Sequence, residues 1–328
     1  HFDPGQRNLV VGALGVAQTI GWASSYYIPA VLAGPMASSF GLSPVWVFAA
    51  FSMAMVVSAI VGPWAGSRID RLGGRGVLVA SNLIFAFGLV LLALAPSPVL
   101  LAAGWAVVGL GMGTGLYEAA FATLAGVYGR EARGPITGIT LIAGFASTVG
   151  WPLSGLMLSA WGWREACLGW ALIHLVLALP LNAMLPSGGR RAARPAVETA
   201  LDAPPPPRFA LALLAFVFAA TWFTSTAMAA HLPGLLQAAG ASPATAIAAG
   251  ALIGPAQVAA RLLEFGLLRR FHPLVSARLA AAAHPLAALG LFTFGGPAAY
   301  VFALLHGAGN GILTIAKGTL PLALFGAA

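Results

Sequence analysis

Charge is the first thing this chain of 328 residues lacks. Asp, Glu, Lys and Arg make up only 7% of it, against about 25% in a soluble domain. So few ionised side chains cannot cover a water-facing surface, which excludes an ordinary soluble globular protein. Cysteine is almost missing as well. The single Cys167 excludes a disulfide framework and any cysteine-rich metal site within one chain. Enzyme signatures are absent too: there is no Gly-x-Ser-x-Gly elbow, no His-Glu-x-x-His, and no phosphate loop ending in Gly-Lys-Ser/Thr. No enzyme activity, metal or cofactor is expected.

What is present is oil. Hydrophobic residues account for 59% of the chain and the mean hydropathy is +0.91. Runs long enough to cross a bilayer, about 20 residues each, fall at 9–35, 44–65, 77–95, 99–125, 136–160, 165–185, 209–232, 244–267, 275–294 and 298–323. These ten runs predict an all-α integral membrane protein embedded in a lipid bilayer. The first is too long for a cleavable signal peptide and lacks a cleavage-site pattern.

The basic residues set an orientation. Arg7, Arg68, Arg71, Arg75, Arg130, Arg133, Arg190, Arg191, Arg194, Arg208, Arg269, Arg270 and Arg278 fall on one side of the alternating spans, and Arg164 alone on the other. The positive-inside rule places the crowded side, and the N-terminus, in the cytoplasm. The net charge of +8 is therefore a topology signal, and no nucleic-acid partner is expected.

Composition changes after six spans. Residues 186–208 carry Pro186, Gly188, Gly189, four arginines and the run Pro204 to Pro207, which reads as a mobile cytoplasmic linker. It separates a bundle at 1–185 from one at 209–328. The two parts repeat. Gly111-x-Gly113-x-Gly115 followed by Thr123-Leu124 recurs as Gly307-x-Gly309-x-Gly311 followed by Thr319-Leu320, displaced by 196 residues. Gly62-Pro63 recurs as Gly254-Pro255, and Gly41-x-Ser43-Pro44 as Gly240-x-Ser242-Pro243, displaced by 192 and 199. Matches in the same order at nearly constant spacing indicate a duplicated domain.

Between the second and third spans stands Gly66-Ser67-Arg68-Ile69-Asp70-Arg71-Leu72-Gly73-Gly74-Arg75, a tight charged turn. Its Gly-x-x-x-Asp-Arg-x-Gly-x-Arg pattern resembles the loop between helices 2 and 3 of the major facilitator superfamily, with Gly74 where the consensus has a further basic residue. The resemblance implies a secondary transporter of two parallel six-helix repeats. With about ten spans and His1 as first residue, the second repeat reads as truncated and the chain as a fragment. In that family the cluster latches the halves together, a role that would fall here to Gly66, Asp70, Arg71 and Arg75. The alternative is that the arginines only set topology. Gly150-Trp151-Pro152-Leu153-Ser154-Gly155 is similar to an element of the family's antiporters, and Gly162-Trp163-Arg164 to its outer loop. The arginine that many proton-driven exporters carry in the fourth helix is missing from Trp105 to Gly109.

Charges within the spans each cost about 2.5–3.5 kcal/mol to insert. Glu118, Arg261, Glu264 and Lys317 are the candidates. The resemblance puts helices 1, 4, 7 and 10 around the transport cavity, so Glu118 and Lys317 sit on lining helices. Glu118 is the candidate proton carrier. Opposite charges could instead pair as a gate, or snorkel to the inner interface. Gln257 to Arg261 resembles a helix 8 segment of monocarboxylate transporters, where an aspartate stands at the position of Gln257 and the arginine binds substrate. A guanidinium suits a carboxylate by its forked donors. Tyr26, Tyr27 and Trp222, with their neighbouring hydroxyls, read as cavity-lining residues or as bilayer-edge anchors. Asn310 could coordinate a solute. His174 and His284 read as structural.

The resulting expectation is a monomeric transporter of the inner (plasma) membrane. It would move a small monocarboxylate-like organic anion by alternating access, with protons as the candidate coupling ion. A proton-antiport exporter of amphipathic or toxic compounds is the rival. A non-transporting membrane sensor or scaffold is the alternative of another class.

Overall fold

The computed structural model describes residues 4–186, 208–266 and 273–325. The linker expected at 186–208 therefore lies, apart from its two end residues, outside the described residues. All regular structure among the described residues is helical. The chain divides into two compact units, His1–Ala192 and Ala193–Ala328.

The N-terminal unit runs α1 (Pro4–Ser25), α2 (Pro29–Ser38), α3 (Pro44–Leu72), α4 (Gly74–Leu94), α5 (Pro98–Gly115), α6 (Tyr117–Tyr128), α7 (Arg133–Ala143), α8 (Ala146–Trp161), α9 (Trp163–Ile173) and α10 (Leu179–Ala183). The C-terminal unit runs α11 (Arg208–Ala238), α12 (Pro243–Ala251), α13 (Ile253–Gly266), α14 (Pro273–Phe294) and α15 (Ala299–Phe325). Eight helical stretches among the described residues are long and apolar enough to cross a membrane. They cover eight of the ten spans expected from hydropathy. The tenth corresponds to α15, and the first is broken.

Local sequence explains where helices begin. In Gly-x-Ser-Pro, Gly41 and Gly240 take φ of +66° and +95°, the left-handed geometry that ends a helix and suits glycine. Ser43 then accepts from the Val45 N–H at 3.3 Å, and Ser242 from the Thr245 N–H at 3.1 Å. Proline follows at the first helical position, where its missing N–H costs nothing. The repeat in sequence is thus a repeated turn and cap.

Several apolar runs that read as single spans are interrupted. The first breaks at Tyr26–Ile28 before Pro29, because proline supplies no N–H and crowds the preceding turn. The carbonyl of Tyr27 is met instead by the Trp151 indole N–H at 3.1 Å. The fourth run breaks at Leu116, between α5 and α6. There the carbonyl of Gly115 accepts from Gln18 Nε2 on α1 at 2.6 Å. Both joints lie in apolar surroundings where an unmet carbonyl is costly, and each is plugged by a side chain from another helix.

Glycines set the helix spacing, and they correct the repeat register. A Cβ on Gly109 would strike the Ala54 main chain, and one on Gly113 would lie 2.7 Å from Ser58 O. In the second unit Gly307 meets Ile253 O at 2.8 Å and Gly311 meets Gln257 O at 2.6 Å in the same sense. Gly109 therefore corresponds to Gly307 and Gly113 to Gly311, a displacement of 198 rather than 196. Their contacts on the facing helix are displaced by 199, as is the Gly-x-Ser-Pro turn.

At the end of α4, Arg164 donates Nη1 to the carbonyls of Ala93 at 2.6 Å and Ala95 at 3.1 Å, while its guanidinium lies over Trp163 at 4.3 Å. A cation here satisfies free carbonyls and complements the helix dipole. Arg164→Ala is expected to cost about 1.5–3 kcal/mol, read as a lower melting temperature in detergent. Arg164→Lys should recover less than half, lacking the planar fork. An unchanged melt for Arg164→Ala would refute the clamp.

Candidate functional site

In the C-terminal unit, Gln257 and Arg261 stand one turn apart on α13, and Arg261 Nη2 donates to Gln257 Oε1 at 3.3 Å. Both are buried, Arg261 at 6% exposure and Gln257 at 5%. Their i, i+4 spacing places them on one helix face. A guanidinium offers forked donors that match a carboxylate in geometry and charge. Across the unit, Ser225 Oγ on α11 donates to Asn310 Oδ1 on α15 at 2.5 Å, which fixes that amide. Trp222 is exposed on α11. Lys317 belongs to α15, but its side chain lies outside the described residues.

In the N-terminal unit the break at Leu116 changes the setting of Glu118. Hydropathy puts this residue inside an unbroken span, yet it stands in the first turn of α6, where the helix dipole favours a carboxylate. Its side chain is exposed. Beside it Tyr117 joins an aromatic group: Trp22 lies 4.9 Å from Tyr117 and 5.0 Å from Tyr26. Tyr26 also meets Phe51 at 6.0 Å, and Tyr27 meets Trp151 edge-on at 5.5 Å. Tyr26 is buried at 4% exposure and Tyr27 is partly buried. The two tyrosines thus form part of a packed aromatic wall at the α1–α2 joint.

The charged turn is built on glycine. Gly73, at φ +82° and ψ 156°, occupies a region that other residues enter only under strain. Gly74 opens α4, and a Cβ there would run into the Thr123 side chain. That contact explains why Gly74 stands where the resembling pattern has a basic residue. Asp70, Arg71 and Arg75 are exposed and Gly66 is partly so, and Arg68 lies over Trp64 at 5.2 Å.

His174 lies within a polar network that spacing alone does not reveal. Its Nε2 meets Ser24 Oγ of α1 at 2.7 Å, and its Nδ1 meets Asn82 Oδ1 of α4 at 2.9 Å. Asn82 Nδ2 is committed to the Leu78 carbonyl at 2.8 Å, so Oδ1 must accept and Nδ1 must donate. Phe85 stacks on the ring at 4.8 Å. His174 opens a π-helical turn, His174–Ala178. A pair of histidines, His284 and His306, lies between α14 and α15. Spacing along the chain does not link His306 to His284, because the two are 22 residues apart on different helices.

With this geometry in hand, comparison with known proteins finds a match to the family model described as Major Facilitator Superfamily over residues 9–327. An uncharacterised 38 kDa protein from the 23S RNA operon of Thermoproteus tenax is 31% identical over 156 residues, covering 47% of this chain and 40% of that protein. A multidrug resistance protein B homologue of Mycobacterium tuberculosis is 35% identical over 120 residues, covering 36% of this chain and 22% of that protein. The chain therefore spans well under half the length of these curated relatives. Among solved structures, a D-xylose–proton symporter superposes with a TM-score of 0.67 at 17% identity, covering 93% of this chain and 80% of that one. At that identity the likeness speaks for the fold alone.

Proposed function

Because the chain belongs to the Major Facilitator Superfamily, a family of transporters rather than enzymes, we propose that it is a secondary active transporter working by alternating access. It is a multi-pass membrane protein. The solute in this reading is a small organic anion, and one observation carries it: Arg261, buried at 6% exposure beside Gln257 in a membrane-spanning segment. Arg261 is the anion contact and Gln257 orients it. Within the C-terminal unit, Asn310 and Lys317 on α15 and Trp222 on α11 are its candidate solute contacts; within the N-terminal unit, Tyr26 and Tyr27 are the candidates. Glu118 serves as proton carrier, and the turn of Gly66, Asp70, Arg71 and Arg75 as the conformational latch. The arginine distribution favours an inner-membrane protein with a cytoplasmic N-terminus.

Uptake into proteoliposomes across a panel of small carboxylates tests this. Arg261→Ala is expected to reduce uptake of the transported anion about 30-fold or more, equivalent to about 2 kcal/mol of lost binding. Arg261→Lys should restore only part of it. Unchanged uptake would remove Arg261 from the solute site.

A second reading, proton-antiport export of amphipathic compounds, is favoured by the aromatic wall beside Glu118 and by the likeness to the mycobacterial multidrug resistance homologue. Resistance profiling in a pump-deficient host separates the two. Protection against cationic amphipaths, lost in Glu118→Gln, would replace the anion reading.

A further inference from the structure

The C-terminal unit carries a pair of titratable groups, His306 buried and His284 partly buried, that the solute site does not use. His284 is the central residue of the span Leu274–Phe294, ten residues from either end. At 1.5 Å per residue that is about 15 Å from each end, half of a hydrocarbon core about 30 Å thick. His306 of α15 is 3% exposed. The two rings meet Nδ1 to Nδ1 at 3.0 Å, with centroids 4.9 Å apart.

The repeat shows that packing does not require these histidines. In the register displaced by 198–199 residues, His284 corresponds to Phe85 and His306 to Val108. Gly111 rests on Phe85 in one unit as Gly309 rests on His284 in the other. The same helix contact is therefore built from apolar side chains in the N-terminal unit, with Phe85 at 2% and Val108 at 0% exposure. A polar pair at the depth where it costs most points to a role beyond packing.

The separation identifies the occupant. Two nitrogens on one tetrahedral zinc ion at about 2.0–2.1 Å stand about 3.3 Å apart, whereas 3.0 Å is an ordinary hydrogen-bond distance. No third metal ligand of the His, Cys, Asp or Glu type joins the pair among the described residues. For Nδ1 to bond Nδ1, one ring must donate and the other accept, so the neutral rings hold opposite tautomers. Two protons are then shared among four nitrogens. One lies between the rings, and the other sits on Nε2 of the acceptor. Nε2 of the donor is bare.

An incoming proton binds that bare nitrogen and yields an imidazolium still donating to a neutral imidazole, with no bond broken. A second would have to enter between the rings and set two N–H groups head-on. Capacity is therefore one. His284 Nε2 is buried with no hydrogen-bond partner among the described residues. A Cβ at Gly309 would come within 3.1 Å of it, so the glycine leaves that nitrogen its space. Phe302 lies parallel to His306 at 6.0 Å. Neighbouring elements bring Arg261 and Glu264 on α13, Arg278 on α14 and His231 on α11. Among the described residues, the hydrogen-bond and ring contacts of the pair are with each other and with Phe302. The Lys317 side chain lies outside the described residues.

We propose that His284 and His306 together form a site for a single proton at mid-membrane depth. Its use as the coupling proton rests on the transport reading above; the site itself does not.

Nuclear magnetic resonance of the 15N-histidine-labelled protein in lipid nanodiscs tests this between pH 4 and 9. Of the six histidines, two should show opposite tautomers with one shared N–H and titrate together in a single one-proton step. In His306→Gln the midpoint of His284 should move by about one pH unit or more, as expected for coupled groups, and reciprocally in His284→Gln. The signal of His174, in the other unit, should not move. Identical tautomers, independent titration, or two rings that stay neutral across the range would each overturn the proposal. The wild-type spectrum alone decides if a variant fails to fold. No solute is needed, so a negative result leaves the transport reading standing, and absent uptake leaves the proton site standing.

Discussion

Gly109→Val is expected to lower the melting temperature of the protein by about 6–12 °C, the equivalent of about 3 kcal/mol. A Cβ at Gly109 meets main-chain atoms of Ala54, with Cα at 2.8 Å and the carbonyl carbon at 2.9 Å besides the carbonyl oxygen. A side chain could rotate aside, but a helix backbone cannot. The substitution must wedge α5 from α3 along a contact that Gly113 continues against Ser58. Lipid tails give no hydrophobic drive to close the gap, because helix association in a bilayer depends on close packing of small residues. Gly311→Val should act alike in the other unit, where it would also displace the turn carrying Gln257 and so Arg261. Gly126→Ala, where a Cβ meets nothing within 4 Å, is the control and should be neutral or slightly stabilising. Equal melts for Gly109→Val and the control would dismiss the close contact.

Loss of His174 should be at least as damaging, and two substitutions separate its packing from its hydrogen bonds. His174→Ala empties a site of 0% exposure and leaves Asn82 Oδ1 without its donor. A cost of about 3–5 kcal/mol follows from the cavity together with the stranded acceptor. His174→Leu fills most of the volume, so it should cost only the polar part, about 1–3 kcal/mol. Ser24 can fall back on the Gly21 carbonyl at 3.4 Å, whereas Asn82 Oδ1 has no such recourse, so adding Asn82→Leu to His174→Leu should recover stability. Thermal unfolding followed by size-exclusion chromatography reads all three. If His174→Leu matched wild type, the network would be ornamental.

Features that depend on neighbouring residues were legible in the sequence. The Gly-x-Ser-Pro turns, the charged turn after α3 and the i, i+4 pair of Gln257 and Arg261 all follow from spacing along the chain. Hydropathy found the membrane-crossing runs because the bilayer selects on mean apolarity. It could not see the joints at Tyr26–Ile28 and Leu116, since an interrupted helix lined by apolar side chains has the same average as a straight one. Pro29 was visible, but the run around it still averaged as oil.

The repeat register slipped for a chemical reason. Gly109, Gly111, Gly113 and Gly115 alternate with other residues, so sliding the pattern by two positions keeps three glycine matches and loses only Thr123 against Thr319. Contacts to Ala54 and Ser58 distinguish the alternatives, and those are tertiary. The same holds for the histidines: Ser24 and His174 are separated by 150 residues, and only folding shows that His306 has a partner. Glu118 was noticed as a charge in an apolar run. Its place at a helix start came from the joint before it.

The two plugged joints of the N-terminal unit have a mechanical consequence. Gln18 seals the α5–α6 interruption and Trp151 seals the α1–α2 interruption, so neither behaves as a free swivel. Bending either one exposes a bare carbonyl to hydrocarbon unless the sealing helix travels with it. Motion admitted at one elbow is thereby geared to a second rod, and this unit should flex in linked steps instead of one helix at a time.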